Sequence, residues 1–116
     1  RSPIAVEVAG HEVERYPPEV ESAVYFCVLE ALQNVLKHAP SAHRVVVRLN
    51  GGQSELRFSV RDDGGGASTG AMRPGAGLTN MSDRLSAVGG DVFVTSAPGV
   101  GTTVRGRVPV SGQVAD

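Results

Sequence analysis

Prolines at positions 17, 18 and 40 set the limits of the longest element this chain can build. A proline at the first helical position gives up only an N–H that would have had no partner, so Pro17-Pro18 suits a helix start. Pro40 cannot continue one. The spacing predicts a helix from about Pro18 to Ala39. On a wheel at ~100° per residue, Val24, Tyr25, Val28, Leu29, Leu32, Val35 and Leu36 share one broad arc, which is expected to face the core. Glu30, Asn34 and Lys37 fall within ~60° of one another on the opposite side, with Ala23, Phe26 and Cys27 projecting the same way.

Around that helix the pattern alternates between strands and turns. Ile4 to Val8 reads as a short strand, with a loop from Gly10 to Pro18. Arg44 to Leu49 and Glu55 to Arg61 read as strands joined by Asn50-Gly51-Gly52, a strong hairpin signal. Leu56, Phe58 and Val60 alternate with Glu55, Arg57, Ser59 and Arg61, as in a strand with one buried face. From Asp62 to Gly77 periodicity disappears; six of the chain's 15 glycines fall there, and a mobile loop is expected. Leu78, Met81, Leu85 and Val88 return at helical spacing, with Gly89-Gly90 as terminator. Asp91 to Ser96 and Thr102 to Val108 predict a closing hairpin, and the polar tail 111–116 is expected to fray. The order suits one domain over residues 1–116, with a mixed sheet and helices on one face.

Composition narrows the function. A net charge of −1 and the near absence of aromatics, 4% of residues with no tryptophan, give no general pull toward nucleic acid and no stacking platform for single strands. No apolar run approaches the ~18 residues needed to cross a bilayer, and Arg1-Ser2-Pro3 does not open a signal peptide, so a cytoplasmic domain without membrane contact is expected. Cys27 is the only cysteine, which excludes an intrachain disulfide and a cysteine-based zinc site. His11, His38 and His43 show no metal spacing. Neither the Walker pattern nor the dinucleotide glycine fingerprint occurs.

If the chain binds a nucleotide it does so by another route, and the following motifs also have plain readings, as a solvated helix face, a turn or a hairpin. Magnesium takes one or two protein oxygens together with substrate phosphates, and Asn34 offers such an oxygen without adding charge. Glu30, one turn earlier, can orient a metal-bound water or accept a proton; Lys37, one turn later, can meet phosphate oxygens. Asp62 ends a strand just before Gly64-Gly65-Gly66, where a rigid carboxylate can accept a hydrogen bond from an exocyclic amine such as that of adenine. Gly75-Ala76-Gly77 precede the second helix, whose free N–H groups suit phosphate. Thr102 places a hydroxyl at a strand start after Gly99-Val100-Gly101.

The segments Glu30–Ala39, Asp62–Gly66, Gly75–Met81 and Gly99–Thr103, in that order, resemble the nucleotide-binding boxes of the GHKL ATPases. The Lys37-His38-Ala39 ending and the run from Gly77 through Arg84 to Gly90 resemble sensor histidine kinases of the nitrate/nitrite-sensor (NarL-linked) type. The resemblance covers Pro18 to Val108. It implies an α+β Bergerat fold, a two-layer sandwich whose mixed, mostly antiparallel sheet carries helices on one face, with a lid at about 63–77. It also implies roles: Asn34 on magnesium, Glu30 as base or metal-water ligand, Lys37 and His38 near phosphate. Asp62 would bind the adenine amine, Gly64 and Gly66 would line the base, Gly75 and Gly77 would wrap the phosphates of ATP, Leu78 would belong to the same ATP site, and Thr102 would support the adenine end. The implied partners are a separate dimerisation domain bearing the phosphoacceptor histidine and a downstream response regulator. Nothing before Pro18 resembles that acceptor, so a monomeric chain that binds Mg-ATP without labelling itself is expected. A serine kinase of the anti-sigma-factor type and a non-catalytic nucleotide-binding module are the rival readings.

Overall fold

The computed structural model describes residues 5–11, 15–38, 42–52, 54–65 and 76–110. Its elements are strand β1 (Ala5–His11), helix α1 (Pro18–His38), strands β2 (Arg44–Asn50) and β3 (Glu55–Asp62), helix α2 (Ala76–Ser86), and strands β4 (Asp91–Ala97) and β5 (Gly101–Pro109). The five strands form one sheet in the order β1-β2-β3-β5-β4. Only β1 and β2 run parallel; every other neighbouring pair is antiparallel. Both helices pack on the same face of this sheet, α1 chiefly over β3 and α2 over β4 and β5, which makes two layers.

The helix ends follow the local chemistry. At the start of α1 the Pro17 carbonyl accepts the amides of Val20 and Glu21 at 2.9 and 3.1 Å, while the Glu21 carboxylate reaches back to the Tyr16 amide at 3.0 Å. Pro17 and Pro18 carry no N–H, and the Val20 amide, a donor left over at the helix start, is satisfied by this turn. At the other end of α2 the Gly90 amide bonds the Leu85 carbonyl at 2.7 Å and the Gly89 amide bonds the Ser86 carbonyl at 3.0 Å. Gly89 sits at φ 81°, so the predicted glycine pair closes a Schellman turn.

Register puts the core on one side of the sheet. Val45, Val47, Leu56, Phe58, Val60, Val104 and Val108 alternate inward beneath the helices and are buried. The helical contribution departs from the sequence expectation. The buried residues of α1 are Val20, Ala23, Val24, Cys27, Ala31 and Val35, whereas Tyr25 is 66% and Leu36 69% exposed, and Leu29 is also exposed. The predicted arc is thus displaced by roughly a quarter turn or more. Close approach of α1 to both the sheet and α2 needs small side chains, so alanines and a cysteine occupy the contact and the bulkier Tyr25, Leu29 and Leu36 lie outside. The first strand also runs further than expected, to His11, and its Val6 and Val8 stay exposed because neither helix covers β1.

Candidate nucleotide-binding site

The two helices run in opposite directions over the sheet, and this decides what meets at each end. Tyr16, just before α1, exchanges hydrogen bonds through its hydroxyl with Gly52, at the hairpin end of β2 and β3. The C-terminal end of α2 closes against the same end, because Gly90 abuts Arg107 and Val108. The C-terminal half of α1 and the N-terminal turn of α2 therefore both point to the opposite end, where β3 finishes at Asp62 and β5 begins.

Midway along, the Cys27 thiol lies 3.7 Å from the Met81 carbonyl, which fixes the two helices at the same level. From that level, a rise of ~1.5 Å per residue carries Glu30 and Asn34 about 4.5 and 10.5 Å toward the Asp62 end, and carries Ala76 about 7.5 Å the same way. Phe26 and Cys27 face α2, since Arg84 stacks 4.2 Å from the Phe26 ring centre. Glu30, Asn34 and Lys37 follow on the same flank, so they border the buried stripe rather than standing opposite it. Glu30 and Asn34 are half-buried and Lys37 is exposed. Cys27 is sealed in: burial pushes its thiol up to about 11, with Arg84 pulling it back and Glu30 reinforcing the rise. It is packing, not a nucleophile.

The two adjacent aspartates divide their work. Asp63 is exposed, and its Oδ1 accepts the amides of His43 and Arg44 at 2.8 and 3.0 Å, clamping the entry to β2. Those backbone bonds, Arg44 first and then His43, hold its carboxyl below the usual aspartate range. Asp62 instead turns to the helix side and is 5% exposed, the one buried acidic or basic residue among the described residues. Its Oδ1 accepts the Gly64 amide at 2.8 Å, and Gly64 is itself buried.

Across the sheet from Asp62 stands Thr102, and beyond it Ser96. The two hydroxyls are 2.7 Å apart and Ser96 Oγ also donates to the Gly101 carbonyl at 3.2 Å, so the Thr102 side chain is held in place. Gly101 has φ 122°, and a Cβ there would collide with the Asp62 carbonyl. Only glycine lets the start of β5 lie this close to the end of β3. The Gly99 amide ties the β4–β5 turn to the Gly65 carbonyl at 2.7 Å.

Of the sequence-predicted site residues, Glu30, Asn34, Lys37, Asp62, Gly64, Leu78 and Thr102 are thus brought to one end of the molecule, on the helix side of the sheet. Gly77 lies inside the first turn of α2, which begins at Ala76, rather than before it. Leu78 packs against the core edge. Gly66 and Gly75 lie outside the described residues, as does the side chain of His38. Sequence reasoning missed Ser96 and the separate role of Asp63. Ser96 is marked only by cross-strand register, which no local pattern reveals.

Residues 19–112 match the family described as histidine kinase-, DNA gyrase B-, and HSP90-like ATPase. With the geometry above, that match defines the class: a nucleotide-binding, two-layer α+β domain. The Bacillus subtilis sensor histidine kinase YxjM is 30% identical over 107 residues, which cover 92% of this chain and 26% of that protein. LiaS of the same organism is 37% identical over 92 residues, covering 78% and 25%. The histidine kinase domain of the Erythrobacter litoralis EL346 blue-light activated histidine kinase superposes with a TM-score of 0.71 at 29% identity, covering 94% of this chain and 57% of that one. The chain belongs to the histidine kinase-, DNA gyrase B- and HSP90-like ATPase family, and within it is similar to the ATPase domains of sensor histidine kinases. It spans about a quarter of the length of the curated relatives it matches.

Proposed function

We propose that this chain binds ATP with magnesium and is the catalytic domain of a cytoplasmic kinase module, passing the γ-phosphate to a histidine on a separate dimerisation domain for relay to a response regulator. The observation that carries the reading is the buried Asp62 carboxylate, set beside Thr102 at the end of the sheet toward which Asn34 and the start of α2 also point. A buried carboxylate is costly unless it is hydrogen-bonded, and the Gly64 amide occupies one of its oxygens. An adenine amine is the donor that such a group suits, and the strand end holds it rigid while Gly64 admits the flat base.

Phosphate would lie toward the N-terminal turn of α2, since the first N–H groups of a helix and its dipole favour anions. Among the described residues no group of three or more acidic, histidine or cysteine side chains could hold a metal by itself. That fits magnesium, which would take its remaining ligands from phosphates and water and one amide oxygen from Asn34. Magnesium when bound offsets charge on the phosphates. Glu30 would orient water or accept a proton, and Lys37 would meet phosphate oxygens. Catalysis of this kind rests mostly on positioning and electrostatics, so turnover needs the partner that carries the acceptor.

The test is calorimetric titration with a non-hydrolysable ATP analogue, with and without magnesium, of the parent, Asp62→Asn and Asn34→Ala. Asp62→Asn is expected to weaken binding by about tenfold or more under both conditions, since one neutral amide replaces a charged acceptor. Asn34→Ala is expected to remove chiefly the magnesium-dependent gain. Unaltered binding in both variants would overturn the assigned site.

A further inference from the structure

The face of the sheet turned away from the helices carries a charge pattern that nucleotide binding does not use. By register it presents Arg44, Arg48, Arg57, Arg61, Arg105 and Arg107 against three carboxylates, Glu7, Glu55 and Asp91. With Asp63, which follows β3 beside Arg44, counted as well, that is an excess of two positive charges on a chain whose formal net charge is −1. Arg44 is paired with Glu7 at 2.6 Å, Arg57 with Glu55, and Arg107 with Glu55 and Asp91 at 3.2 and 3.1 Å. Arg48, Arg61 and Arg105 are exposed and have no carboxylate partner among the described residues.

We propose that this face docks an acidic protein segment, recognised by guanidinium–carboxylate pairing at Arg48, Arg61 and Arg105. Arg48 and Arg105 flank Ser59 in one row across β2, β3 and β5. At ~4.8 Å per strand they stand about 10 Å apart, and Arg61 lies about 7 Å along β3 from that row. Seven residues of helix rise ~10.5 Å, so carboxylates at i and i+7 match the separation of Arg48 and Arg105. The same row continues to Phe93, 58% exposed, which gives the patch an apolar anchor.

Residue type selects protein over the other anionic partners. All six cations are arginine, whose planar fork bonds a carboxylate in bidentate fashion, and arginine with an exposed aromatic is the composition of protein interfaces. The interspersed Glu7, Glu55 and Asp91 repel a continuous phosphate surface, and one aromatic is too few to stack bases. The pattern also costs the fold something. Arg57 and Arg107 stand directly opposite each other, and like charges in that position destabilise a sheet; Glu55 bridges both. The face is opposite to the side to which Asp62 points, so partner and nucleotide can be held together.

The experiment titrates the chain with a glutamate-rich helical peptide, a short DNA duplex, and vesicles of equal parts phosphatidylserine and phosphatidylcholine. The peptide is expected to bind tightest, to weaken steeply with salt, and to move amide resonances confined to the outer positions of β2, β3 and β5. Combined R48E, R61E and R105E should cut peptide affinity by about tenfold or more. Combined R48Q, R61Q and R105Q removes the charge without creating a new one, and should retain the parent's thermal midpoint while losing peptide affinity. Absent peptide binding, undiminished binding by the glutamine variant, or tighter binding of DNA or vesicles each overturns the proposal. ATP-analogue affinity is expected to stay the same in all these variants, which keeps this test separate from that of the nucleotide site.

Discussion

The two ends of the helix-covered sheet face differ in what stands beside their apolar packing. At the Gly90 end, Leu85 and Val108 are fully buried and Leu56 nearly so, and the polar contacts among the described residues are backbone caps and the Tyr16 hydroxyl on Gly52. At the Asp62 end, a carboxylate, two hydroxyls and close backbone approaches stand beside the buried Val45 and Val60. The difference teaches that both ends rest on buried apolar residues, while one of them also holds polar side chains in fixed positions.

Substitutions at the two ends should therefore separate stability from binding. Leu85→Ala is expected to cost about 2–5 kcal/mol in urea unfolding, because it opens a cavity in the sealed end, while the folded protein keeps its nucleotide affinity. Gly101→Ala should cost about 1–3 kcal/mol from backbone strain alone, and should also lower nucleotide affinity by pushing the Asp62 backbone away. An unchanged affinity there would break the contrast. Ser96→Ala, expected to lose about 1 kcal/mol, should loosen the Thr102 hydroxyl and weaken binding only slightly.

Asp63 gives the smallest and most conditional effect. Its folded pKa lies below the ordinary 3.8, so its contribution is fully present above that value and is lost as pH falls from there through the folded pKa. Unfolding midpoints measured down an acid series should drop less steeply for Asp63→Asn than for the parent over that window, with no difference near neutrality in the slope against pH.

Much of this was legible in the chain. The prolines and glycines mark element ends because they act through their own backbones, and α1, the β2–β3 hairpin and the Gly89-Gly90 terminator come out within a residue or two of their expected places. Asp62 was legible too, as the carboxylate where a strand hands over to the glycine-rich segment. The contact face of α1 was not. Hydrophobicity on a wheel weights bulk, and the tight α1–α2 approach selects Ala23, Cys27 and Ala31 instead. Nor was the Ser96–Thr102 pair, since it depends on which strands become neighbours across the sheet.

The parallel pairing of β1 with β2 sets an order on assembly. The whole of α1 lies between those two strands in sequence, so β1 has no hydrogen-bonding partner until the helix has docked and β2 is in place. Being also an edge strand with its apolar side chains uncovered, it has the least to hold it. Its amides should be the first of the sheet to exchange with deuterium, and its zippering onto β2 the last step of folding.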